Sequence, residues 1–380
     1  MGKEVLDLQD KNLVSLTLSD MLAKKDLGCE MDCIPHLLKA ENYCAEKLKK
    51  LASVPAEDYL YRRIWYERQR SGNPDLSVDV SGMAEELGIQ YDDVQLYAIR
   101  TAAASKGMVL TGGPGTGKTT VTQGIIEVFK KFKLRILLAA PTGRAAKRAS
   151  ESTGMEAKTI HRLLGYSGSG TFEHNEEHPL EGDVLIIDES SMVDLRLMNS
   201  LLKAVPENMR LILIGDVNQL PSVGPGTVLK DIIDSGVFPV VRLTKIFRQA
   251  AESHIITNAH RINDGLFPVI DDSDPKNDFF LEIMDKKGKK LEASEIAERT
   301  AQAIIKLLTD TIPNQYHIQP KDIQILAPMR NGSAGTIALN KLAQEALNPE
   351  GPSIAFEGYS YRKGDRVMQT KNDYEKGVFN

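Results

Sequence analysis

The run Leu110-Thr-Gly-Gly-Pro-Gly-Thr-Gly-Lys-Thr-Thr120 constrains this chain more than any other stretch. Gly112 to Thr119 has the spacing of a phosphate loop: Gly, four residues, then Gly-Lys-Thr. The apolar Gly107-Met-Val-Leu110 before it reads as a buried strand. Thr119 to Phe132 after it carries apolar residues at Val121, Ile125, Ile126, Val128 and Phe129, the spacing of a helix. In a strand, loop and helix of this kind the loop N–H groups converge on phosphate oxygens. The helix N-terminus adds partial positive charge. Gly113, Pro114, Gly115, Thr116, Gly117, Lys118, Thr119 and Thr120 are therefore candidate nucleotide-binding residues. Lys118 suits the β- and γ-phosphates of ATP, and Thr119 suits Mg²⁺.

The organisation around this loop predicts an α/β fold. Residues 1–90 read as a mainly helical N-terminal region, with apolar residues at helical spacing in Ile34–Leu51 and Tyr59–Tyr66. Within it, Tyr61 to Arg70 mixes aromatics with arginines. That pattern fits an amphipathic helix with a solvated basic side, or a contact with a nucleic-acid backbone. Residues 91–245 alternate short apolar runs with helical segments. The strands expected there are Met108–Leu110, Ile136–Ala140, Val184–Ile187, Leu211–Ile214 and Pro239–Leu243. Apolar runs of this length followed by helices mark a parallel sheet covered on both faces. A second, partial α/β unit is expected over 246–356, with strands at Phe279–Ile283 and Ile323–Pro328 and helices at Ala293–Leu308 and Ala334–Leu347. The texture changes again over 357–380, where Arg366–Thr370 and Lys376–Asn380 read as strands.

Two further strand ends carry chemistry. Val184-Leu-Ile-Ile-Asp-Glu ends in Asp188, placed to bind the metal, and Glu189, placed to activate a water for attack on the γ-phosphorus. Alone, such a pair is also an ordinary polar strand end. The phosphate loop upstream is what gives it a role. Ile214-Gly-Asp216 leads into Val-Asn-Gln219, and parallel strands deliver their carboxyl ends to one crevice. Gln219 can then bond both the γ-phosphate and the attacking water and change partners on hydrolysis, or stand as a polar loop residue in solvent. Arg248, in Phe247-Arg-Gln249 after the fifth strand, is placed to reach the γ-phosphate across a cleft between the two units, or equally to stand in solvent.

In order, the chain carries Gln95, the Gly112–Thr120 loop, Pro141-Thr-Gly-Arg-Ala-Ala146, Thr159-Ile-His-Arg-Leu-Leu164, Asp188-Glu-Ser-Ser-Met-Val-Asp194, Gly215–Gly226 and Phe247-Arg-Gln249. This series resembles superfamily-1 helicases, and within them the RecD branch of exodeoxyribonuclease V alpha-subunit type. Ile325–Gly335 and Gly364–Tyr374 are similar to that branch as well. The resemblance spans roughly residues 90–380. It implies two RecA-like domains, the second incomplete here, and ATP-driven 5′-to-3′ movement on single-stranded DNA in recombination and repair. It implies that Gln95 reads adenine and that Thr142, Arg144, Thr159 and His161 lie along the DNA. Loops after parallel strands share one face, so Thr142-Gly-Arg144 can also be argued physically to offer hydroxyl, backbone and cation to phosphates. The resemblance further implies that 167–179, by itself a polar loop, is a pin hairpin that splits the duplex, and that 357–380 begins a small inserted β-barrel.

The family continues past the position of Asn380. The sequence therefore reads as a C-terminally truncated piece, expected to bind nucleotide and to turn it over poorly. A rival reading is a nucleotide-dependent DNA-binding subunit of a repair nuclease that does not itself unwind. A small kinase is opposed by Asp188, Glu189, Gln219 and the second α/β unit. The expected partners are single-stranded DNA, or DNA with a 5′ overhang, and subunits of such a nuclease. A net charge of −5 over 380 residues excludes a globally basic DNA binder but not a basic channel. No run is long and apolar enough to span a membrane. Cys29, Cys33 and Cys44 match no common zinc spacing. An odd cysteine count without a signal peptide points to the cytoplasm.

Overall fold

The structure is a computed structural model that describes residues 35–53, 88–167, 170–247, 252–271, 273–284, 292–356 and 358–368. The readings at Cys29, Cys33, Tyr59–Arg70, Arg248 and Lys376–Asn380 fall outside the described residues. The chain divides into two compact units between Phe279 and Phe280.

The first unit is built on six parallel strands: β1 (Gly107–Gly112), β2 (Ile136–Ala140), β3 (Ala157–Thr159), β4 (Val184–Ile187), β5 (Arg210–Gly215) and β6 (Val240–Leu243). Their order is β3-β2-β4-β5-β1-β6. Side chains alternate between two apolar layers, as the two-residue period of a strand requires. Val109, Leu185, Ile187, Leu211 and Leu213 face one layer. Met108, Leu110, Val184, Ile186, Ile212 and Ile214 face the other. Because both faces are buried, the strands read as unbroken apolar runs. Helices α2 (Asp93–Ala104), α3 (Lys118–Lys131) and α4 (Gly143–Thr153) cover the second layer through residues such as Ile99, Ile125, Phe129 and Ala149. The short α5 (Ile160–Leu163) precedes the turn at Gly165.

The first layer is covered by α1 (Pro35–Ser53), α6 (Leu195–Ala204) and α7 (Val228–Ser235), with Leu48, Leu51, Leu201 and Ile232 fully buried. Thus α1 packs into the core of the first unit. Tyr43 also donates from its hydroxyl to Glu176 Oε1 at 2.7 Å, tying α1 to the segment 170–179. Within that segment and its base, Tyr166 and Phe172 form an antiparallel bridge, so the polar loop doubles back on itself. Helix α8 (His254–Asn263) belongs to this first unit, whereas the sequence reading grouped residues from 246 onward with the second.

The second unit holds α9 (Ala293–Lys306), a π-helical turn at Leu307–Thr311, α10 (Ile312–Tyr316), α11 (Thr336–Leu347) and an antiparallel hairpin of β7 (Ser353–Phe356) and β8 (Tyr359–Arg362). The strands expected at Phe279–Ile283 and Ile323–Pro328 are not formed, and Arg366–Met368 is irregular. A strand exists only as part of a hydrogen-bonded ladder, and these segments have no partner strand among the described residues. Ile283 is 70% and Leu326 87% exposed. The carbonyls of Lys321 and Ile323 are met instead by the Arg366 guanidinium, at 3.0 and 3.3 Å.

Candidate nucleotide site and the groove beside it

Strand order decides what meets. β4, β5 and β1 are neighbours, so the segments after Ile187, Gly215 and Gly112 leave the sheet side by side. Register places Thr111 beside Gly215 and Ile187 beside Leu213. The Asp188-Glu189 pair, Asp216 and the phosphate loop therefore share one edge. Further bonds fix this alignment: Ser190 Oγ donates to the Ile214 carbonyl at 2.8 Å, and Asp188 N to that of Ala139 at 2.9 Å.

Gly117 turns the loop into α3 with φ 84° and ψ 23°, a left-handed conformation that favours glycine. Lys118 Nζ bends back to the carbonyls of Gly112 and Gly113, the latter at 3.1 Å. Thr116 Oγ1 donates to the Gly113 carbonyl at 2.8 Å and is buried, while Thr119 is exposed on the first turn of α3. Gln95 lies inside α2 at its third position, not ahead of the helix, and closes a capping box with Asp92. Its Oε1 accepts from Asp92 N at 3.0 Å, and it is only 2% exposed. Its Nε2 faces Gly117, where an added Cβ would be 2.5 Å away. Gln95 and the phosphate loop are thus in direct contact.

Asp188 and Glu189 are half-buried. Burial raises the Asp188 carboxyl above its ordinary range, opposed by the Glu189 N–H and the cations of Lys118 and Arg148. Burial also raises Glu189, and the Asp188 and Asp216 charges push it further, against Lys118 and Arg148. Glu189 holds φ 51° and ψ 38°, a strained region for a residue with a side chain. Its Oε2 is buried with no hydrogen-bond partner among the described residues. An unpaired, buried, proton-seeking oxygen beside a phosphate loop is suited to take up a water. The hard oxygens of Thr119 and Asp188 suit a magnesium ion.

Gln219 is exposed after β5, with its N–H on the Asp216 carbonyl at 3.2 Å. It lines a groove of about 800 Å³ together with Thr142, His161, Phe172, Met192 and Asp194. Thr142 caps α4, its Oγ1 accepting from Ala145 N at 3.2 Å, and Thr159 caps α5 by accepting from Arg162 N at 3.1 Å. Both hydroxyls keep a proton to donate. His161 packs edge-on to Tyr166 at 5.6 Å and against Phe172 at 5.9 Å. Burial lowers its pKa, which favours the neutral ring. Arg144 is exposed on the first turn of α4. Of the four expected DNA contacts, Thr142 and His161 share the groove wall; Arg144 and Thr159 do not line it.

Arg148 and His260 escaped the sequence reading, and Phe247 entered it only as part of its motif, without its contact to the loop. Arg148 sits one turn beyond Arg144 on α4, and only the fold brings its charge to the acids. The Phe247 N–H reaches the Gly115 carbonyl at 3.2 Å. His260 on α8 lies 3.2 Å from the Pro114 carbonyl. The last two are contacts across more than a hundred residues, which no local pattern signals.

Residues 95–225 match the AAA domain family, and residues 339–380 match the SH3 domain of ATP-dependent RecD-like DNA helicases. The chain is 35% identical over 350 residues to the ATP-dependent RecD2 DNA helicase of Deinococcus radiodurans, covering 91% of this chain and 43% of that protein. It is 30% identical over 369 residues to the RecBCD enzyme subunit RecD of Mycolicibacterium smegmatis, covering 85% and 63%. A solved structure of Pif1 helicase from Candida albicans is similar at 25% identity and a TM-score of 0.38, over 47% of this chain and 45% of that one. The chain thus spans about half the length of its curated relatives. Alongside the phosphate loop and the Asp-Glu strand end, the chain is thus similar to RecD-type helicases over most of its length, with an AAA-domain match over 95–225 and a RecD-like SH3 match over 339–380.

Proposed function

We propose that this chain forms the motor core of an ATP-dependent DNA helicase that moves 5′-to-3′ along single-stranded DNA and serves recombination and repair in the cytoplasm. The observation that carries this reading is the shared edge of β1, β4 and β5. There Lys118, Asp188 and Glu189 lie within electrostatic reach of one another. In this reading Lys118 leaves the loop carbonyls for the β- and γ-phosphates of ATP, while the N–H groups of 113–120 bind the phosphate chain. Thr119 and Asp188 would hold Mg²⁺, which would supply charge neutralisation on the phosphates. Glu189 orients a water and accepts its proton, and Gln95 reads the adenine beside Gly117.

Gln219 stands between this site and the groove, so the two can be linked through the turn after β5. Thr142 and His161 then meet the DNA strand within the groove, with Arg144 and Thr159 along the backbone beside it. Residues 167–179 act as the strand-separating pin, held by Tyr43 on α1. Arg248 is proposed to add positive charge at the γ-phosphate during transfer. Directional movement requires grip on DNA that differs between nucleotide states, because equal grip moves nothing.

The test is strand separation by the full-length protein on duplexes with a 5′ or a 3′ single-stranded tail, beside its Lys118→Ala variant. Unwinding of the 5′-tailed substrate alone, lost in the variant, is expected. Unwinding by Lys118→Ala, or preference for a 3′ tail, overturns the reading. The RecBCD-subunit relatives favour a second reading, a DNA-binding subunit of a repair nuclease. It predicts nucleotide-dependent DNA binding with no strand separation on either tail.

A further inference from the structure

Four consecutive carbonyls of the phosphate loop, those of residues 112–115, are hydrogen-bonded, two from within the loop and two from the segment after β6. Lys118 Nζ donates to those of Gly112 and Gly113, and Thr116 Oγ1 also donates to Gly113, at 2.8 Å. His260 Nε2 lies 3.2 Å from the Pro114 oxygen, and Phe247 N donates to Gly115 at 3.2 Å. A carbonyl only accepts, so Nε2 carries the proton in the His260 contact. A loop that binds an anion turns its N–H groups inward. Bonds to these carbonyls hold the loop backbone in one conformation before any phosphate arrives.

These clamps are not equivalent. In the nucleotide-site reading above, on which this inference rests, Lys118 must leave both of its carbonyls for the phosphates. Gly113 then keeps Thr116. Beyond the loop's own residues, the remaining anchors among the described residues are Phe247 and His260, both on the segment that follows β6. His260 does more than bond Pro114. Its ring lies against Gly113, where an added Cβ would be 2.6 Å from Cε1. One side chain therefore both bonds and covers the Gly113-Pro114 peptide.

We propose that His260 is a positioning residue of the nucleotide site, pinning the Gly113-Pro114 peptide from α8 so that the loop keeps its phosphate-receiving shape once Lys118 has turned away. Its action is on nucleotide retention. A loop freed at Pro114 relaxes more readily around a bound diphosphate and releases it sooner. The nucleotide-bound loop is in turn linked mechanically to α8.

The test is stopped-flow dissociation of fluorescent (mant-labelled) ADP with magnesium from the 380-residue chain. His260→Ala is expected to release the nucleotide about fivefold faster, the scale of one lost hydrogen bond. His260→Gln, whose amide nitrogen can reach the Nε2 position, should return the rate to within about twofold of wild type. His260→Phe keeps a ring over Gly113 without a donor and should release as fast as His260→Ala. A merely structural residue would shift the melting temperature without this Gln-against-Phe contrast. Wild-type release from His260→Phe, or release from His260→Gln as fast as from His260→Phe, overturns the proposal even if His260→Ala does not fold. Lys118→Ala separates the two layers. If it binds as wild type, the nucleotide-site reading fails; if it loses binding while the His260 variants are silent, only the role of His260 fails.

Discussion

Replacing Gly117 by alanine puts the geometry of the loop to a quantitative test. Gly117 holds φ 84°, and an alanine there carries left-handed strain of about 1–2 kcal/mol. The new Cβ would also lie 2.5 Å from Gln95 Nε2 and 3.1 Å from the Phe247 ring. Gln95 is the flexible partner and must swing away, which breaks its bond to Asp92 N and opens the capping box of α2. Loss of that bond adds about 1 kcal/mol. Gly154 provides the control, because it is also left-handed, at φ 65°, yet an added Cβ meets nothing within 4 Å. Backbone entropy in the unfolded chain changes equally in both variants, so their difference isolates the contacts. Urea unfolding followed by circular dichroism should place Gly117→Ala about 1 kcal/mol below Gly154→Ala. The same variant should lose preference for ATP over GTP in competition binding, since Gln95 has moved, while Gly154→Ala keeps it. Equal stability of the two variants together with unchanged base preference would refute the placement of Gln95 against the loop.

Two other outcomes follow from the acids. Glu189→Gln should leave ATP binding within about twofold while hydrolysis falls by about 10²–10⁴, the range of a lost general base; parallel loss of binding in equilibrium titration would contradict the role given to Glu189. Glu41 on α1 is 4% exposed, and burial, with the Asp231 carboxylate adding, pushes its carboxyl up to about 7. Asp231, buried on α7, is likewise raised, to about 6. A raised carboxyl stabilises the fold below its unfolded pKa, and that contribution is lost as pH rises through the folded value. Stability should therefore fall between about pH 4.5 and 7, and Glu41→Gln should flatten the fall. Its advantage should grow to at most about 3 kcal/mol by pH 8 in denaturant titrations; a pH-independent difference would show that Glu41 is solvated.

The first unit was legible because its signals are local. A short unbroken apolar run such as Val184–Ile187, followed by polar residues and a helix, reads as a strand buried on both faces, and Gly112–Thr119 specifies loop and helix together. β3 was missed because Ala157-Lys-Thr159 has three residues and no apolar run; it forms by pairing with Leu138–Ala140. Ile323–Pro328 failed in the opposite way, for it has strand composition but no partner ladder among the described residues. At the site, Asp188 and Glu189 announced themselves at a strand end, and Lys118 in the phosphate-loop pattern. Arg148 and His260 did not, because their contribution is a distance across the fold and not a spacing along the chain. Gln95 was picked out through family resemblance, and its contact with Gly117 is visible only in three dimensions.

In the proposed function, one edge of the sheet gathers a phosphate loop, a metal-binding acid and a base around a triphosphate. A crystal structure of the chain with MgADP and aluminium fluoride, a mimic of the transferring phosphoryl group, tests it most directly. Lys118 should be found off the Gly112 and Gly113 carbonyls and on the phosphate mimic, with Thr119 and Asp188 on the magnesium and Glu189 on the in-line water. A nucleotide bound elsewhere, or Lys118 still on its carbonyls with Glu189 Oε2 unpaired, would contradict the claim.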